Sequence, residues 1–193
     1  MDKKGLLVII SSPSGGGKDS VINALLKKIS GSARFITTTS RPPRPGNVQG
    51  VDYHFITTKE FEDKIKNNEM IEYNIYTGNY YGAEKEKLNK DLQEKKVIFT
   101  QIEVNGKHNF DKQGIKHLAI FLKPESLKIL RQRITKRGGL DEKTIEQRLK
   151  IAESEITKSK DYDYVVTNYE GKLKETIKKV TKIIENSLKN RTK

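Results

Sequence analysis

Apolar residues fall along this chain in two alternating patterns. Leu6-Leu7-Val8-Ile9-Ile10 is an unbroken apolar run, the signature of a strand buried on both faces. Val21, Ile22, Leu25, Leu26 and Ile29 follow at helical spacing. Val97-Ile98-Phe99 predicts a second buried strand, His117 to Leu122 a third, and Tyr162-Asp163-Tyr164-Val165-Val166 a fourth. Between and after them come helical stripes. Leu127, Leu130 and Ile134 share one face over 125–134, and Ile145, Leu149, Ala152 and Ile156 another over 144–156. The last stripe is Leu173, Ile177, Val180, Ile184 and Leu188. Strands alternating with helices predict an α/β fold, a mostly parallel sheet flanked by helices.

Two stretches break this rhythm. Residues 35–84 are rich in Thr, Arg, Pro, Gly and Tyr with short alternating strands, and read as an inserted lobe. Lys136-Arg137-Gly138-Gly139-Leu140-Asp141 is a polar break between two helices, and its paired glycines predict a hinged lid. The basic end, Lys189-Asn190-Arg191-Thr192-Lys193, is expected to fray.

The loop after the first strand is Ser12-Pro13-Ser14-Gly15-Gly16-Gly17-Lys18-Asp19-Ser20. A strand, a glycine-rich loop with lysine and then a helix form the context of a phosphate-binding loop. Successive glycines let backbone N–H groups turn toward an anion; the helix N-terminus and Lys18 add positive charge. Ser12 stands where the usual pattern opens with glycine. Asp19 follows the lysine, so the hydroxyl of Ser20 is displaced by one residue. The metal ligands are therefore left unassigned.

Composition narrows the class. A chain of 193 residues suits one domain with inserted loops. No run approaches a membrane span, and the N-terminal apolar stretch is too short for a secretory signal. The absence of cysteine excludes disulfides and thiolate metal sites, and a cytoplasmic protein is expected. His54, His108 and His117 show no metal-ligand or nucleophile spacing. The net charge of +13 fits either nucleic acid or small polyanions. The lysines spread over several helical faces without interleaved aromatics, which favours small polyanions and no nucleic-acid partner.

Arg41-Pro42-Pro43-Arg44-Pro45-Gly46 has the composition of a second anion site, since guanidinium forks match phosphate oxygens. With Gly50-Val51-Asp52-Tyr53-His54-Phe55, Ile71-Glu72-Tyr73 and Gly78-Asn79-Tyr80-Tyr81-Gly82, it resembles the guanylate kinase family in order and spacing, from the phosphate loop to Asn168. The resemblance implies a P-loop nucleoside monophosphate kinase-like fold: a core of 1–34, 85–132 and 150–193, a GMP-binding lobe of 35–84 and a lid of 133–149. It implies ATP binding by residues 12–20 and Asn168. Thr37, Arg41, Arg44, Tyr53 and Tyr81 would hold the GMP phosphate, and Glu72 and Glu103 would read guanine. Lys18, Arg41, Arg133, Arg137 and Arg148 would neutralise charge during transfer from ATP, with Mg2+ accompanying the donor. The residues Asp163 to Asn168 match the strand and turn that flank the adenine. Asn47, Ala83 and Gln101 depart from the family's usual glutamate, serine or threonine, and aspartate. The chain resembles ribose bisphosphate phosphokinases in Gly17-Lys18-Asp19-Ser20 and Leu130-Arg131-Gln132-Arg133, and a non-catalytic guanylate-kinase-like binding module is a further alternative. Substrates would be GMP and ATP, with no membrane partner and no oligomeric state implied.

Overall fold

The computed structural model describes residues 4–191. Its elements in chain order are β1 (Leu6–Ser11), α1 (Lys18–Lys28), β2 (Ser32–Arg34), β3 (Thr38–Thr39), β4 (His54–Phe55), α2 (Thr58–Lys66), β5 (Met70–Tyr76) and β6 (Asn79–Glu84). There follow α3 (Lys85–Glu94), β7 (Val97–Thr100), α4 (Val104–Lys112), β8 (Leu118–Pro124), α5 (Leu127–Arg137), α6 (Glu142–Lys158), a short 3-10 turn, β9 (Tyr164–Asn168) and α7 (Leu173–Asn190).

Five strands form one parallel sheet in the order β2-β7-β1-β8-β9. β1 is central, which explains its unbroken apolar run. Leu6, Val8 and Ile10 face α1 and α7, packing with Val21, Leu25, Val180 and Ile184. Leu7 and Ile9 face the other way, against Leu88 and Leu92 of α3 and Phe110 of α4. Each face of the sheet thus has its own apolar layer, as parallel pairing requires.

The inserted segment builds a second sheet in the order β4-β3-β6-β5, in which β6 runs antiparallel to both its neighbours. Thr77 and Gly78, both at positive φ, join β5 to β6. Positive φ at both central residues gives the two-residue turn whose twist matches a hairpin. Within the lobe, the ring of Phe61 stacks on Tyr80 at 5.0 Å.

The sequence reading differs from the structure at several edges. The lobe holds a helix, α2, begun by a capping box of Thr57 and Glu60. α3, α4 and the three-residue edge strand β2 were not anticipated. β9 starts at Tyr164 rather than Tyr162, because the Asp163 carboxylate already accepts the Ala119 amide at 2.7 Å. The helix before the lid break continues to Arg137 and ends at Gly138, whose φ is 73°. At the C-terminus Lys189 and Asn190 are helical, while Thr192 and Lys193 lie outside the described residues.

Candidate active site

The loop from Ser12 to Gly17 leaves the C-terminal end of β1, where open α/β sheets bind ligands. Gly15 and Gly17 have φ values of 85° and 94°, left-handed values that favour glycine. A Cβ on Gly16 would lie 2.7 Å from that of Ser12, and one on Gly17 would lie 2.6 Å from Asn168 Nδ2. The glycines therefore permit both the turn and the close approach. Pro13 accepts the Gly16 N–H at 2.8 Å and the Ser12 hydroxyl at 3.1 Å, closing the loop on itself. Gly17 begins α1 without a capping side chain, so the helix presents its first N–H groups to whatever the loop encloses.

The cavity there measures about 310 Å³. Ser14, Gly15, Gly17, Lys18, Asp19 and Ser20 form one wall, and Arg133, Lys136 and Arg137 of α5 form the other. Arg148 reaches over from α6, its Nη1 donating to Ser14 Oγ at 3.1 Å. Arg133 is held at two points: Nε donates to Glu170 Oε2 at 2.7 Å and Nη2 to the Asn168 carbonyl at 3.1 Å. Its Nη1 is buried with no hydrogen-bond partner among the described residues. Arg133 as a residue lines the cavity, and its guanidinium charge suits an anionic ligand there. Arg131, also on α5, pairs with Glu142 and Glu146 at the surface and ties α5 to α6. Asp19 faces Arg34 at 3.4 Å.

The lobe assembles a second basic pocket of about 480 Å³, lined by Arg41, Arg44, Tyr81 and the tip of the β5–β6 hairpin. Arg41 lies 5.7 Å over the ring of Tyr53, and Tyr53 meets Tyr81 edge-on at 5.8 Å. Four of the residues expected at the GMP phosphate are thereby brought together. Thr37 is half-buried just before β3 and accepts the His54 N–H at 2.9 Å through its carbonyl. Asn47 orders the arginine segment, with one Oδ1 accepting Arg41 Nη2 and the Arg44 N–H, each at 3.0 Å.

Three carboxylates, Glu72, Glu103 and Glu155, interact electrostatically, and Lys18 is among their neighbours. Burial, with the charge of Glu103 beside it, pushes Glu72 up to about 7. Glu103 starts α4 but makes no cap with its side chain, so its carboxylate stays available. Glu155 of α6 was missed by the sequence reading. Burial and then the Glu103 charge push it up to about 7 as well, while Lys18 opposes the shift. The available signal was its spacing of seven residues from Arg148, two helical turns on one face. Ala83 is 1% exposed and sits directly across the hairpin from Glu72, while Gln101 is exposed.

Among the described residues no group of three or more His, Cys, Asp or Glu is arranged to hold a metal ion, and no helix is long and apolar enough to cross a membrane. The hydroxyls of Ser14 and Ser20 and the Asp19 carboxylate are hard oxygen donors at the cavity wall. Such a sparse set fits an ion carried mainly by phosphates and water.

Comparison with known proteins points the same way as this geometry. A family model for guanylate kinase matches residues 4–187. A guanylate kinase of Lactobacillus johnsonii is 41% identical over 169 residues, covering 87% of this chain and 83% of that protein. One from Rickettsia felis is 39% identical over 181 residues, covering 94% and 93%. The crystal structure of a guanylate kinase from Anaplasma phagocytophilum matches with a TM-score of 0.70 at 28% identity, over 96% of this chain and 87% of that one. Because the family model spans the phosphate loop, the inserted lobe and the lid together, this chain belongs to the guanylate kinase family.

Proposed function

We propose that this protein transfers the terminal phosphoryl group of ATP to the phosphate of GMP, giving ADP and GDP. The observation that carries the reading is the presence of two basic pockets, one at the phosphate loop and one at Arg41 and Arg44, together with the buried carboxyl of Glu72 and its neighbour Glu103. In our reading the chain works as one unit, with a core of 1–34, 85–132 and 150–193, a GMP lobe of 35–84 and a lid of 133–149.

Residues 12–20 and Asn168 serve ATP, with the loop amides and Lys18 on the donor phosphates. Thr37, Arg41, Arg44, Tyr53 and Tyr81 hold the GMP phosphate. Glu72 and Glu103 accept from guanine N1–H and N2–H2; adenine offers no donor at N1, so it leaves a buried acceptor unpaired. An oxygen of the GMP phosphate bonds to the terminal phosphorus of ATP as the bond to the bridging oxygen breaks and ADP leaves. The attacking oxygen is already ionised near neutral pH, so alignment and charge neutralisation by Lys18, Arg41, Arg133, Arg137 and Arg148 supply the catalysis. Ser14, Asp19 and Ser20 would face a magnesium ion accompanying ATP, which would offset charge on the donor phosphates. Closure of lobe and lid excludes the water that would otherwise hydrolyse ATP. A cytoplasmic location fits both substrates.

A panel of acceptors with ATP and coupled ADP detection tests this. GMP should be used well, dGMP less, and AMP, CMP and UMP scarcely. Equal rates with AMP and GMP would remove the guanine-reading role, and activity confined to a ribose bisphosphate would replace the reading.

A further inference from the structure

We propose that Thr176 and Asn168 form a positioning pair that sets the phosphate loop from beneath and couples it to the lid arginine Arg133. The inference rests on the ATP-site reading above and adds a role for two residues behind that site.

Asn168 is the last residue of β9 and is 5% exposed. Its polar atoms are committed in three directions. Nδ2 donates to the Gly16 carbonyl at 3.0 Å. Oδ1 accepts from Thr176 Oγ1 at 2.9 Å. Its backbone carbonyl accepts from Arg133 Nη2 at 3.1 Å. One buried residue therefore touches the phosphate loop, the first turn of α7 and the lid-side helix. Its amide serves the nucleotide through the loop rather than by direct contact.

The Gly16 contact has a directional consequence. In a planar trans peptide the carbonyl and the following N–H point opposite ways. Drawing the Gly16 oxygen back onto Asn168 turns the Gly17 N–H away from Asn168, toward the cavity that Gly17 lines. The next residue is Lys18. The approach is so close that a Cβ on Gly17 would fall 2.6 Å from Asn168 Nδ2.

A carboxamide is nearly symmetric in shape, so its partners decide which end faces which. The Gly16 oxygen requires a donor, and the Thr176 hydroxyl, donating from the other side, fixes the acceptor end. Thr176 is 2% exposed, and its other acceptor, the Lys172 carbonyl, is longer at 3.5 Å. Arg133 is gripped by the same strand end, because Glu170 holds Nε two residues beyond Asn168. That leaves the buried Nη1 unpartnered among the described residues. The loop amides and this guanidinium thus share one anchor, and a phosphate chain between them would be met by both at once.

Three variants test the pair, with ATP and GMP binding each measured separately by calorimetry. Thr176→Val keeps the shape but removes the donor, leaving Oδ1 unpaired and the amide free to turn. ATP affinity should fall about 5- to 30-fold, the range for one buried group left unsatisfied, with GMP affinity nearly unchanged; the unpaired Oδ1 also lowers the melting temperature of the free protein, which stays folded. Thr176→Ser, which keeps the hydroxyl, should restore ATP affinity. Asn168→Asp sets a carboxylate oxygen against the Gly16 carbonyl, so relative to wild type its ATP affinity should recover as pH falls and the carboxyl gains a proton to donate. Wild-type ATP affinity in Thr176→Val overturns the pair. So does equal loss of ATP and GMP binding, a Ser variant as weak as Val, or a flat pH ratio for Asn168→Asp. Failure of the wild-type chain to bind ATP would instead sink the nucleotide reading, and the pair with it.

Discussion

Glu72 must be ionised to accept both guanine donors, yet burial and the neighbouring Glu103 push it up to about 7 in the free protein. GMP binding from neutral solution therefore releases a proton, and affinity should fall by up to about tenfold per pH unit below that point. Glu72→Gln carries the GMP phosphate's own titration but not the carboxylate's, so the difference between the two profiles isolates Glu72. At pH 8 that variant should use GMP ~10²-fold less well, because one guanine donor now meets another donor, with ATP affinity unmoved. Unchanged GMP affinity would make the carboxylate structural. Stability follows the same group with the opposite sense. A carboxyl raised from 4.5 to about 7 binds more protons folded than unfolded between those values, so its contribution declines as pH climbs through that window. Glu155 adds a slope of the same sign. The loop residues and arginines were legible in the sequence because a motif names them. Glu155 and the double grip on Arg133 were not, because they depend on which helix face the fold turns toward Lys18. Lys18→Ala should abolish transfer and leave the melt intact; near-normal turnover would remove the loop from the donor site.

The lobe's elements are joined to the core through a buried ion cluster at Glu84, where β6 runs into α3. Glu84 has 4% side-chain exposure, accepts from the Thr38 hydroxyl, and faces Lys64 at 2.9 Å and Lys87 at 3.6 Å. Burial alone would raise its pKa, but the Thr38 hydroxyl and the Lys64 ammonium hold it below the ordinary glutamate value. Its contribution is present above pH 4.5 and is lost as pH falls through the lowered value. One carboxylate thus ties β3, which leads to Arg41, to α2 and α3. Glu84→Ala should cost about 1–3 kcal/mol, because the buried Thr38 hydroxyl loses its acceptor, while the partly exposed Lys64 keeps Glu69 and Lys87 can turn to water. A denaturant melt checks this, and a loss under 1 kcal/mol would mean that water already solvates the cluster. Element type was readable where periods were long, as in α6 and α7. It failed for β2, whose three residues show no period, and for α2, whose Thr57 and Glu60 were the overlooked start signal.

At the scale of the whole molecule, alternation in the sequence foretold a parallel sheet with helices on both faces. The order of strands was not readable, because nothing local tells β1 which later segments flank it. That order places the earliest strand at the centre. Leu6 aligns with Val97 on one side and Val8 with Leu118 on the other.

The central position of β1 bears on how the chain is made. At about 5–20 residues per second of synthesis, its apolar run waits several seconds or more for either flanking strand to exist. During that interval the five residues Leu6 to Ile10 are a bare, chargeless β-former, the kind of segment that pairs with other chains. The nascent protein thus depends on ribosome-proximal chaperoning or on speed for its yield, whatever the finished fold's stability. Stalled chains ending at Thr100 should be digested by protease as readily as an unfolded chain. Protection should emerge once β8 has cleared the exit tunnel, and protease resistance at the shorter length would show that β1 finds shelter in the N-terminal half alone.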